Sequence, residues 1–217
     1  YVGHPLAGVI PMVPDRAAAR AAQGLAPDDR VLAILPGSRS AEVQYITPKF
    51  FEAAALVQQA QPAIKMVVPA VPALQARIEQ AAGAAGLAGR VQVVSGQSHA
   101  VLAACDVTQI ASGTATLEAA LFKRPMYIGY HMHPLSWRLM RRKQLQPWVG
   151  LPKILSGDFV VPELLQDAAL VGQVIGEAAN GVDLLDLLCR DPPDMVILDI
   201  TMPRLNGIEA MEQIKEL

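Results

Sequence analysis

Cysteine is almost missing from this sequence: Cys105 and Cys189 are the two in 217 residues. They lie far apart in apolar surroundings with no metal-ligand spacing. That excludes a disulfide framework and a thiolate metal centre, and it reads as buried thiols in a reducing compartment. Net charge is slight, −2, with an isoelectric point near 6.1. A nucleic-acid-binding surface needs a basic footprint, so no nucleic-acid partner is expected. No apolar run approaches the ~18 residues that span a bilayer. The opening "YVGHPLAG" has neither an initiator Met nor a charged n-region, so it reads as cut from something longer rather than as a signal peptide. Neither GxxxxGK[ST] nor G-x-G-x-x-G occurs, which excludes a P-loop and a fingerprint dinucleotide site. No DxD-like pair follows a strand, and neither a metal nor a cofactor is expected.

What the chain does have is short apolar runs alternating with helical patterns. "VLAIL" (31–35), "IKMVVPA" (64–70), "VQVVS" (91–95), "VTQIA" (107–111) and "PMYIGY" (125–130) are rich in Val and Ile and bounded by turn residues. They read as buried strands. Helical patterns fall at 48–60, 71–86, 98–105 and 113–122, and the polar approach 15–29 holds a short helix at most. Strict alternation predicts right-handed crossovers and a parallel sheet with helices on both faces. Gln109 interrupts an otherwise apolar buried strand, a cost unless its amide finds partners.

Open parallel sheets bind ligands where strand ends feed helix N-termini. Two such loops stand out. In "LPGSRSAEV" (35–43), Gly37 permits close backbone approach, Ser38 offers a hydroxyl and Arg39 a five-donor fork suited to phosphate. A tight turn with a solvent-exposed Arg is the alternative. In "IASGTATLEAAL" (110–121), Ser112 can cap a helix whose first-turn N–H groups favour an anion. Thr114 and Thr116 add hydroxyls, and Glu118, one turn after Thr114, suits a ribose diol. A well-capped amphipathic helix is the alternative for this stretch. Both loops feeding one sheet edge favours a nucleoside diphosphate.

One basic cluster occurs, "WRLMRRKQLQPW" (137–148), with Arg138, Arg141, Arg142 and Lys143 among Trp137 and Trp148. It reads either as a solvated helix face or as an interfacial patch for anionic lipid.

Residues 1–168 resemble the C-terminal half of the lipid-A-disaccharide synthases, through "YVGHPLA", "ILPGSRSAEV", "GQSHAVLAACDV", "ASGTATLEAALFKRPM" and "WVGLPKILSGDFVVPELLQD" in that order. The resemblance implies the Rossmann-like donor domain of a GT-B glycosyltransferase. Such an enzyme performs inverting transfer of 2,3-diacylglucosamine from UDP to lipid X, in the cytoplasm or peripherally at the inner membrane of a Gram-negative bacterium. The ligand implied is UDP or UDP-2,3-diacylglucosamine. Ser38 and Arg39 would lie at the pyrophosphate, Ser112, Gly113, Thr114 and Thr116 at the phosphates, and Glu118 on the ribose. Gln97, Ser98 and His99 would form a loop near the nucleotide, and His4 would sit at the interdomain crossing. For His4 and His99, turn or cap roles are equally open. Lys153 stands where the family usually has Asn; its ammonium can meet a diphosphate but cannot reproduce an amide's paired donor and acceptor. The acceptor domain, with the base for the acceptor hydroxyl, would precede Tyr1, so binding without turnover is expected.

From about 171 onward, "VIGEAANG" and "PDMVILDITMPRLNG" resemble part of a response-regulator receiver domain. This reading assigns 1–168 to the donor domain and 169–217 to a partial, flavodoxin-like βαβα piece. Asp199 holds the phospho-acceptor position. The acidic pair, hydroxyl and lysine that a receiver needs have no place here, so Asp199 is expected to remain unphosphorylated. An unfinished receiver leaves a sheet edge uncovered, a route to self-association. The alternatives to the donor domain are an inert chimeric α/β scaffold and, ranked after it, a phospho-acceptor receiver-type signalling module using Asp199.

Overall fold

The computed structural model describes residues 6–131 and 163–165. The five expected strands form: β1 Val31–Leu35, β2 Lys65–Ala70, β3 Val91–Ser95, β4 Val107–Ala111 and β5 Met126–Tyr130. A sixth, β6 (Glu163–Leu165), has no counterpart in the expectation. All neighbours pair in parallel, in the order β3-β2-β1-β4-β5-β6.

Period-two alternation explains the apolar runs. Val31, Ala33 and Leu35 of β1 face one core, and Leu32 and Ile34 face the other. The first core is completed by α2 (Arg16–Ala22), α5 (Ser98–Ala104) and α6 (Thr114–Leu121). The second is filled from α3 (Ser40–Ala60) and α4 (Gln75–Ala84), with Ile46, Phe50, Phe51 and Ile78 essentially inaccessible. Strands covered on both faces have no polar side to show. A short helix, α1 (Leu6–Val9), precedes α2 and was not expected.

The largest difference from the sequence reading is α3, which starts at Ser40 rather than at residue 48. Pro48 looks like a first-turn proline but lies inside the helix, where it cannot donate to the carbonyl one turn back. Burial of Val43, Ile46 and Thr47 ahead of it overrides that local cost. The 71–86 pattern resolves into a 3-10 turn (Pro72–Leu74) followed by α4. Gln109 is fully buried; its Nε2 donates to the Phe50 carbonyl at 3.2 Å, while its Oε1 has no partner. Half of the anticipated cost is therefore relieved.

At the amino ends of the strands, Arg20 is buried in α2 at 3% exposure. Its guanidinium donates to the carbonyls of Ala104, Ala26 and Pro27 and to Asp106 Oδ2 at 2.9 Å. Asp106 also accepts from the Val31 amide at 2.7 Å and pairs with Arg16. Arg124 donates to the carbonyls of Leu102 and Ala103, so two arginines satisfy the last turn of α5. Cys105 follows in the core, its thiol pushed up by burial.

Among the described residues no helix is long and apolar enough to cross a membrane. The chain divides into two units, 1–171 and 172–217, and every described residue belongs to the first. His4, Lys153, Cys189, Asp199, the basic segment 137–148 and the receiver-like tail lie outside the described residues.

Candidate functional site

The strand order reverses between the parallel neighbours β1 and β4, which places a crevice at their carboxyl ends. The two strands are neighbours, with Leu35 opposite Ile110, so the loops that follow them emerge side by side. Between those loops lies a cleft of about 530 Å³. Gly37, Ser38 and Arg39 line one wall; Ser112, Gly113, Thr114 and Glu118 line the other; Ser98 joins from the start of α5.

Gly37 has φ of +101°, and a Cβ there would approach Glu42 Oε2 to 2.6 Å. The loop therefore turns tightly against the helix it feeds. Arg39 follows with its side chain 82% exposed, its Nη1 2.7 Å from Glu42 Oε1. Glu42 lines the cleft as well, which the sequence reading did not anticipate. Its signal was the Arg-x-x-Glu spacing at a helix start, where a third-position carboxylate reaches back to the preceding backbone N–H. At the end of β5, the Tyr130 phenol is pushed up first by burial and then by the charge of Glu42.

On the opposite wall, the Ser112 amide donates to the Gly129 carbonyl at 3.1 Å, extending the β4–β5 ladder by one bond. The N-cap of α6 is Gly113 rather than Ser112, a residue with no side chain of its own to cap the helix. Its first-turn N–H groups therefore lie at the cleft without a side-chain acceptor from the cap. Thr114 is exposed there. Thr116 is elsewhere: fully buried, its hydroxyl donates to the Gly113 carbonyl at 2.7 Å and props the turn from beneath.

Glu118 is 18% exposed, and its Oε2 lies 3.5 Å from His99 Nε2. The His99 ring packs against Phe122, with centroids 5.4 Å apart. His99 thus meets the cleft through Glu118 and is not among the residues that line it. Gln97 is turned away as well: it adopts φ of +61° before α5, and its Oε1 accepts from Gln23 Nε2 at 2.8 Å. Among the described residues, no group of three His, Cys, Asp or Glu could hold a metal ion.

The fold is α/β, of the GT-B glycosyltransferase type. It matches the C-terminal domain of a group 1 family glycosyl transferase from Francisella tularensis at a TM-score of 0.50 and 19% identity, over 85% of this chain and 87% of that one. More particularly, a family model described as lipid-A-disaccharide synthetase matches residues 1–181, and the chain belongs to that family. The lipid-A-disaccharide synthase of Verminephrobacter eiseniae is 69% identical over 199 residues, 92% of this chain and 50% of that protein. The one from Albidiferax ferrireducens is 68% identical over 178 residues, 82% of this chain and 46% of that protein. The chain spans about half the length of these curated relatives. A response-regulator receiver model matches residues 160–217.

Proposed function

We propose that the first unit is the donor-nucleotide half of a lipid-A-disaccharide synthase, binding UDP and UDP-2,3-diacylglucosamine in the cleft between the β1–α3 and β4–α6 loops. The observation that carries this reading is the convergence of those loops on one crevice at the switch point. Arg39 and the first turn of α6 receive the diphosphate, with Ser38, Ser98, Ser112 and Thr114 supplying hydroxyls. Glu118, oriented by His99, accepts from the ribose diol. Lys153 and His4 are assigned by resemblance to the donor and to the interdomain crossing.

The chemistry is inverting transfer: an acceptor hydroxyl attacks the anomeric carbon as UDP departs. Donors preset toward the diphosphate meet the charge that develops on the leaving group. The base that takes the acceptor's proton belongs to the acceptor half of the family's length. These 217 residues are therefore expected to bind nucleotide without turning it over.

Calorimetric titration should show saturable UDP binding, weakened about tenfold or more in both Arg39→Ala and Glu118→Gln. Wild-type affinity in both variants would refute the assignment. Asp199, at the receiver-like acceptor position, is inherited scaffold in this reading. Incubation with acetyl phosphate and Mg²⁺ should leave the intact mass unchanged, and a phosphoryl adduct on Asp199 would make the tail a working acceptor.

A further inference from the structure

The cleft assigned to a diphosphate already holds a carboxylate at its mouth. Glu42, in the first turn of α3, is 29% exposed. Its Oε2 accepts from the Arg39 backbone N–H at 3.4 Å, and its Oε1 accepts from Arg39 Nη1 at 2.7 Å. One side chain thus engages both the backbone and the guanidinium of the residue that faces phosphate. Gly37 leaves room for it, since any side chain there would meet Oε2. The negative charge is also felt across the rim, at Tyr130.

Two consequences follow from that geometry. The fork is held in one place, with donors beyond Nη1 left for a ligand. Each charge on a bound phosphate, however, is opposed by the carboxylate in the same cleft. A nucleoside diphosphate and its sugar ester differ in this respect. The ester lacks the terminal ionisation, whose pKa is about 6 for a phosphate monoester. The free diphosphate therefore carries roughly one more charge at neutral pH.

We propose that Glu42 is a specificity-determining residue of the cleft. It positions Arg39 and, through its own charge, lowers affinity in step with the ligand's phosphate charge, so the spent nucleoside diphosphate is held less firmly than its sugar ester. This inference rests on the nucleotide reading of the cleft. It gives the carboxylate a purpose in release of the leaving nucleotide.

The test is calorimetry on the full chain with UMP, UDP and UDP-N-acetylglucosamine as probes, comparing wild type, Glu42→Gln and Glu42→Asp. Glu42→Gln keeps the size and an acceptor oxygen while removing the charge. It should tighten UDP by about three- to tenfold and the two less charged probes by less, with the differences shrinking at high salt. Glu42→Asp keeps the charge but shortens the reach, so it should preserve the bias against UDP while loosening all three probes. Melting curves identify any variant that fails to fold, and the remaining variant then decides. A uniform change across the probes in Glu42→Gln, a weakening of UDP in it, or loss of the bias in Glu42→Asp would overturn the inference alone, provided wild type binds UDP in an Arg39-dependent manner. Failure of wild type to bind UDP overturns the nucleotide reading and this inference with it.

Discussion

Adding one methyl group at position 129 should destabilise the protein by about 3 kcal/mol. For a chain of this size that corresponds to a melting point lower by roughly 6–12 °C. In Gly129→Ala the new Cβ would lie 2.3 Å from Cε1 and 2.8 Å from Cζ of Phe50. That ring is fully buried in α3 and packs edge-on near Tyr127, with centroids 6.4 Å apart, so it has nowhere to go. Nor can the backbone yield freely. Gly129 sits inside the sheet, paired with Ala111 on one side and Leu164 on the other. Its carbonyl also accepts from Ser112, so displacement would disturb the cleft wall. Shortening the obstacle in Phe50→Leu should recover part of the loss, making the double variant more stable than the sum of the singles. Thermal denaturation of the four proteins reads this directly. An unshifted Gly129→Ala would mean that the β5–α3 contact is looser than described.

The second large effect is expected from Arg20→Met, a loss of about 3 kcal/mol in urea or guanidinium titration. The guanidinium satisfies three carbonyls and shares Asp106 with Arg16 and the Val31 amide. Without it, acceptors at the buried end of α5 lose their donor, and an unmet buried acceptor costs more than a made hydrogen bond contributes. Arg20→Lys should recover little, because a single ammonium cannot reach acceptors set around a planar fork. Nucleotide affinity of the folded protein should stay unchanged, since this cluster lies at the amino ends of the strands and the cleft at the carboxyl ends. Wild-type stability in Arg20→Met would show that those carbonyls find other donors.

The strands were legible because burial on both faces leaves continuous apolar runs, as in Val31–Leu35. The start of α3 was not, since Pro48 imitates a helix beginning and only tertiary burial of Val43, Ile46 and Thr47 reveals otherwise. The three residues of β6 hold no periodic signal at all; pairing with β5 defines them. At the cleft, Arg39, Ser112 and Glu118 were found because position after a strand end determines what a loop residue faces. Thr116 illustrates the opposite error. Two residues after Thr114 on a helix, it points to nearly the other side of the axis and cannot share a ligand with it. Gln97 and His99 came from resemblance alone, and the structure ties them to Gln23 and Glu118.

The sixth strand has a practical corollary. Glu163–Leu165 falls in the seam, residues 160–181, that both family models match. Its backbone seals the outer rail of β5 at Ile128, Gly129 and Tyr130. A splice placed upstream of Glu163 would unzip that rail next to the very glycine whose carbonyl holds the Ser112 turn. A splice downstream of Leu165 would keep it closed.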